Sequence, residues 1–120
     1  MLVSPGDATP VAPQDVQPEE LDVAILVDWY ETKTNQTVRR VERRWAGLRT
    51  FAPDNAPVLG EDSDAPGFWW LAGQGGYGIM VAESLGRGLA SLMQRGNLPD
   101  DLRGLGLSPA DLSPRRFRAV

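Results

Sequence analysis

FWWLAGQGGYGIMVAESLGRG, residues Phe68 to Gly88, sets an unbroken apolar run ahead of a glycine turn and an apolar, helix-like stretch behind it. Its centre, Gly73-Gln74-Gly75-Gly76-Tyr77-Gly78, matches G-x-G-x-x-G letter for letter, in the order a dinucleotide fingerprint demands. That fingerprint also needs a second parallel strand after the helix, ending about twenty residues on in an Asp or Glu that binds a ribose. After Met93 the chain instead gives Gln94-Arg95-Gly96-Asn97-Leu98-Pro99-Asp100-Asp101, with acids present and no strand before them. Two other readings stay open. The glycines can serve turn geometry alone, or the loop's free N–H groups and the helix N-terminus at Gly78-Ile79 can stabilise partial negative charge on a flat ligand against bare backbone.

The neighbours of this stretch ask for partners. Phe68-Trp69-Trp70-Leu71-Ala72 has no polar alternation, the mark of a strand covered on both faces. The helix after it carries Ala82, Gly86 and Ala90 as a line of small residues, with Leu85, Leu89 and Leu92 as an adjoining apolar stripe. Gly86 and Gly88 each cost a helix roughly 1 kcal/mol relative to Ala, so contacts outside the helix must stabilise it. These features predict a chain that self-associates or docks on another.

Upstream, Met1-Leu2-Val3 reads as a strand and Ser4 to Gln17, with three prolines, as an extended loop. Pro18 suits a first helical position, with Glu19 and Glu20 where the helix dipole favours negative charge, and the helix is expected to run to about Thr32. Its apolar residues, from Leu21 to Tyr30, wrap most of the circumference, which predicts burial on more than one side. Val38 to Phe51 reads as a long Arg-rich strand, Pro53-Asp54-Asn55-Ala56-Pro57 as a turn, and Val58-Leu59-Gly60 as a short strand.

Composition restricts the chemistry. At 120 residues the chain is one domain's worth, short for a dinucleotide enzyme with a separate substrate site. It has neither Cys nor His, which removes disulfides, thiolate catalysis and the commonest general base and metal ligand. A net charge of −4 gives no footprint for nucleic acid, and Arg39-Arg40-Val41-Glu42-Arg43-Arg44 reads as a solvated edge. Asp54, Asp62 and Asp64 flank turns without metal-ligand spacing, and Trp29, Trp45, Trp69 and Trp70 read as packing residues. There is no signal-peptide pattern and no apolar run of transmembrane length, so a cytoplasmic protein is expected.

The order of motifs, RRWAGLRTFAPDNAPVLG, then PGFWWLAGQGGYGI, then an apolar helix and LSPRRF, resembles the carboxy-terminal end of the FAD-dependent D-amino acid oxidase superfamily, which includes glycine oxidase and D-amino acid dehydrogenases. QGGYGI together with DVQPEELD and LSPRRF is most similar to the D-arginine dehydrogenase type. The resemblance spans essentially the whole chain and favours the flat-ligand reading of the glycine loop. It implies an α/β (α+β) fragment: a partial substrate-domain region over 1–52, the last strand and C-terminal helix of an FAD-binding Rossmann-like domain over 53–96, and a tail with short helical turns over 97–120. It also implies that Gly73, Gln74, Gly75, Gly76, Tyr77, Gly78 and Ile79 meet the flavin, that Arg49 pairs with a substrate carboxylate, and that Gly76 presents backbone to the substrate amine. The implied reaction oxidises a D-amino acid or amine to its imine by hydride transfer to FAD, with no catalytic side chain assigned here.

The sequence departs from the family pattern in several ways. The family's own dinucleotide fingerprint lies amino-terminal to this region, so the chain is expected to be a truncated or separately encoded piece, inactive alone, with the missing FAD-binding half as its partner. Met80-Val81 stands where relatives commonly have Gln-Thr, and Glu83 where small or neutral residues are usual. The competing expectation is a non-catalytic fragment that docks on a separately encoded flavin domain.

Overall fold

The computed structural model describes residues 1–118. They form two compact units, one from Met1 to Leu48 and one beginning at Arg49.

The first unit contains one helix, α1, Glu20–Lys33. Pro18 lies ahead of the helix rather than at its first position, and Glu19 is the cap, in extended conformation with no side-chain cap bond. Glu20 and Asp22 in the first turn and Lys33 in the last complement the helix dipole. The expected burial is absent: no α1 residue is buried, and Leu21, Ile25 and Trp29 are more than half exposed. A helix apolar on every side can be covered only by being surrounded, and this unit has no second helix or sheet to do so. Tyr30 donates its hydroxyl to the Gln36 side chain, and Glu31 accepts the Val38 N–H at 2.7 Å, which holds the chain against the end of the helix.

Two strand expectations fail. Met1 to Val3 is not a strand, and neither is Val38 to Arg49; of the long predicted strand only Phe51 pairs, through a single antiparallel bridge to Gln74. Strand geometry is stabilised by a ladder, and residues 41–50 have no ladder partner and are all exposed. The arginines here are solvated as expected, with Arg40 paired to Glu42 at 2.7 Å and Arg44 to Glu20 at 2.6 Å.

The second unit is built on a hairpin of β1, Val58–Glu61, and β2, Trp69–Ala72, antiparallel with Leu59 opposite Leu71 and Gly60 opposite Trp70. The Asp62 carboxylate closes the intervening loop, accepting the N–H of Asp64 at 2.8 Å, that of Ala65 at 3.2 Å and the indole N–H of Trp70 at 2.8 Å. These bonds hold its pKa below the ordinary carboxylate value, the Trp70 bond first. A 3-10 turn, Gly75–Tyr77, leads into α2, Gly78–Arg95, followed by two short helices, α3 (Asp100–Gly104) and α4 (Pro109–Leu112), and a closing 3-10 turn, Pro114–Phe117. Ser108 caps α4 by donating its N–H and hydroxyl to Asp111, each at 2.8 Å.

The core is a leucine cluster: Leu59 from β1, Leu85 and Leu92 from α2, Leu98 after it, Leu102 from α3 and Leu112 from α4, with Trp69, Val81 and Leu89 packed at its margin. Gly88 lets this cluster close, since a Cβ there would lie 3.4 Å from Leu59 and 3.5 Å from Leu98. Arg87 joins α2 to α3 through Asp101 at 2.8 Å and pairs with Glu83 at 2.6 Å. The departure at Glu83 is thus an exposed ion pair. The result is a small α/β fragment, helices over a two-stranded antiparallel sheet. Among the described residues no helix is long and apolar enough to cross a membrane.

Candidate functional site

The glycine loop is not a dinucleotide turn. Its incoming strand, β2, runs antiparallel to its neighbour, and among the described residues α2 is followed by α3 and α4 with no returning strand. A βαβ unit requires both features to be otherwise. What the loop does instead follows from the residues against it.

Gly73 and Gly75 have φ of +66° and +55°, the left-handed region that glycine enters without steric cost. Their bare Cα atoms also receive the segment 49–52. A Cβ on Gly73 would stand 3.3 Å from Ala52, and one on Gly75 would stand 2.7 Å from the edge of the Phe51 ring. The Gly75 N–H donates to the Thr50 carbonyl at 3.0 Å, which fixes the register of the two segments beside the Phe51–Gln74 bridge. One step further on, Arg49 reaches Gly76: a Cβ there would lie 2.8 Å from Arg49 Nη1. The two residues predicted to bind substrate, Arg49 and Gly76, are therefore neighbours. Among the described residues Arg49 has no carboxylate partner in an ion pair.

Gln74 folds over the start of α2, where a Cβ on Gly78 would be 2.8 Å from its Oε1. Beyond it the helix N-terminus is open, with Ile79 97% and Met80 83% exposed. The first turn of α2 has no capping side chain and is entered directly from the 3-10 turn Gly75–Tyr77. Ala82, Gly86 and Ala90 continue along exposed surface, and nothing lies within 4 Å of a Cβ placed on Gly86.

The loop is tied to the rest of the unit through Asn55 and Arg116, which sequence reasoning did not single out. Tyr77 donates its hydroxyl to the carbonyl of Asn55, a residue in left-handed conformation at φ +60° in the turn before β1. That turn is gripped in its turn by Arg116, whose Nε and Nη2 reach the two Asp54 carboxylate oxygens at 2.7 and 3.1 Å. The guanidinium pulls the Asp54 pKa from 3.8 down to about 2. Phe51 was read only as a strand end and Asp54 only as a turn residue. The signal that could have drawn attention to them is the pairing of APDNAP with LSPRRF, which lie about sixty residues apart and share no local periodicity.

A concavity of about 250 Å³, open to solvent, lies at the other end of α2, between Ser91, Arg95, Leu98 and Asp101. It contains none of the predicted site residues.

The family model described as FAD dependent oxidoreductase (DAO) matches residues 1–92. A stretch of 60 residues, 49% of this chain, is 38% identical to the tRNA 5-methylaminomethyl-2-thiouridine biosynthesis bifunctional protein MnmC of Delftia acidovorans, and spans 9% of that protein's length.

Proposed function

Because the chain belongs to the FAD-dependent oxidoreductase (DAO) family, we propose that it contributes the carboxy-terminal wall of a site that oxidises the C–N bond of an amino acid or amine. The observation that carries this reading is the juxtaposition of Arg49 with Gly76, Nη1 lying 2.8 Å from where a Cβ would be. A guanidinium offers a planar pair of donors that matches a carboxylate. The Gly76 carbonyl beside it supplies an acceptor for a substrate amine. Together they would hold the two polar ends of an α-amino acid and leave its α-carbon facing the loop.

The loop fits one part of FAD. The exposed backbone of Gly76 and the open start of α2 at Ile79 suit the edge of a flat ring on which negative charge develops. When bound, FAD would take the hydride from the carbon bearing the amine. The antiparallel hairpin does not fit the dinucleotide tail, so those contacts are assigned to sequence outside these 120 residues. The open face of α2 is where the polypeptide carrying them would dock, in keeping with the exposure of Ile79 and Met80. A subunit that docks there without taking part in the chemistry is the second reading. Co-expression with a dinucleotide-binding half separates the two: a yellow, FAD-loaded complex with amine-oxidising activity is expected, and a colourless or inert complex would leave only the docking role.

The relative MnmC is named for the biosynthesis of 5-methylaminomethyl-2-thiouridine in tRNA, an amine-bearing product, so amino acids and amines without a carboxylate are the two substrate classes to compare. Arg49 discriminates between the substrate classes. In the completed, FAD-loaded protein, Arg49→Ala should lower kcat/KM for an amino acid by roughly two to three orders of magnitude. Arg49→Lys should recover part of it, and a carboxylate-free amine should lose far less. Equal losses for both classes would remove the carboxylate role.

A further inference from the structure

We infer that Arg116 is a positioning residue for the glycine loop, acting through the Asp54-Asn55 turn on the phenol of Tyr77. The inference rests on the reading of Gly73 to Ile79 as the ligand-facing loop, and the contacts behind it are independent of any ligand.

Arg116 is held on every side. Its Nε donates to Asp54 Oδ2 at 2.7 Å, and its Nη2 to Asp54 Oδ1 at 3.1 Å, the Ala56 carbonyl at 2.9 Å and the Pro57 carbonyl at 3.1 Å. Its Nη1 donates to the Leu112 carbonyl at 2.7 Å and the Ser113 carbonyl at 3.1 Å. The ring of Phe117 lies 4.2 Å from the guanidinium carbon, and the side chain is 13% exposed. A guanidinium has five N–H donors in a rigid fork, and here each has an acceptor. A lysine ammonium, a point donor with three hydrogens, cannot span the same set. Four of the six acceptor atoms belong to the turn that carries Asn55, and the Asn55 carbonyl accepts the Tyr77 hydroxyl. Tyr77 is the last residue before α2 and follows Gly76, where Arg49 sits. Loosening the grip on the turn releases the phenol and with it the loop.

Amide hydrogen exchange on the 120-residue chain at neutral pH tests this, using Gly75, whose N–H is bonded to Thr50, as the loop probe and Leu92 as the core probe. Arg116→Ala and Tyr77→Phe should each speed Gly75 exchange roughly tenfold relative to Leu92, the loss of about one hydrogen bond's protection. The double variant should add little to either, because both cut the same chain of contacts. Arg116→Lys should restore only a minor part. If Gly75 and Leu92 accelerate in step, Arg116 is a general structural residue and the inference fails. It fails equally if the two effects multiply to roughly a hundredfold. Should Arg116→Ala not fold, Asp54→Asn takes its place, since it leaves the four carbonyl contacts of Arg116 intact; unchanged Gly75 exchange in that variant would overturn the inference. The readout needs neither FAD nor substrate, so its failure is distinct from a failure of the Arg49 substrate comparison.

Discussion

The two longest helices are both rich in apolar residues, and they meet opposite ends. On α2, Leu85, Gly88 and Leu92 recur every three to four residues, so one face packs into the leucine core. On α1, from Leu21 through Val23, Ala24, Ile25, Leu26 and Val27 to Trp29 and Tyr30, the apolar residues point in all directions and none is buried. A helix with one apolar face needs one neighbour, and a hairpin with two short helices suffices. A helix with several apolar faces needs several neighbours at once. Apolar content alone therefore does not determine whether a segment is packed; its arrangement around the axis does.

Four measurements would break or sharpen this contrast. The largest effect is expected at Leu59, 1% exposed and at the centre of the cluster. Leu59→Ala should cost about 3 kcal/mol, read as a lower urea midpoint, while amide exchange in α1 is unchanged. If α1 loses protection as well, the two regions fold as one unit and the contrast collapses.

Acid should act next, and again on one region only. Asp54 has its pKa lowered from 3.8 to about 2 by Arg116, so its contribution is full above about pH 4 and disappears as the pH falls through 2. Thermal unfolding followed from pH 5 to pH 2 should show this step in the wild type and not in Asp54→Asn.

A smaller and opposite effect is expected at Gly86, where a Cβ meets nothing within 4 Å. Gly86→Ala should stabilise the chain by roughly 0.5 to 1 kcal/mol through helix propensity. In a complex that covers this face of α2 the same methyl group should weaken docking, and a gain in both settings would place the docking surface elsewhere.

The smallest effect belongs to α1. Ile25, 55% exposed, should tolerate Ile25→Ala within about 0.5 kcal/mol by calorimetry. A cost above about 2 kcal/mol would mean that α1 is covered in solution by another chain.

What the sequence made legible follows the same distinction. Local patterns were read correctly where local forces decide: the turn at Pro53 to Pro57, the strand at Val58 and the glycine turn opening a helix. The apolar run ending at Ala72 forms a strand from Trp69, but not one covered on both faces, since Trp70 and Leu71 are each 39% exposed. The G-x-G-x-x-G match misled only if read alone, because the parallel neighbour it requires is a property of chain topology. The Val38 to Phe51 strand failed because strand propensity has no effect without a ladder to join, and nothing in a single segment reveals whether its partner is present. Arg49 and Gly76 were brought together by family resemblance rather than by spacing. Arg116 was hidden for a related reason: its acceptors are mostly backbone carbonyls, which every residue possesses and no residue type announces.

The grip of Arg116 on Asp54 also has a consequence for how the chain is made. The two residues are 62 positions apart, so at ordinary rates of translation the turn leaves the ribosome roughly 3 to 12 s before the residue that fastens it. During that interval the hairpin and α2 can form, while the Asn55 carbonyl and the Tyr77 phenol are free to miss one another. Closure of the glycine loop therefore comes after the hairpin is made, and ribosomes stalled before residue 116 would carry a nascent chain whose hairpin is formed and whose loop is still unfastened.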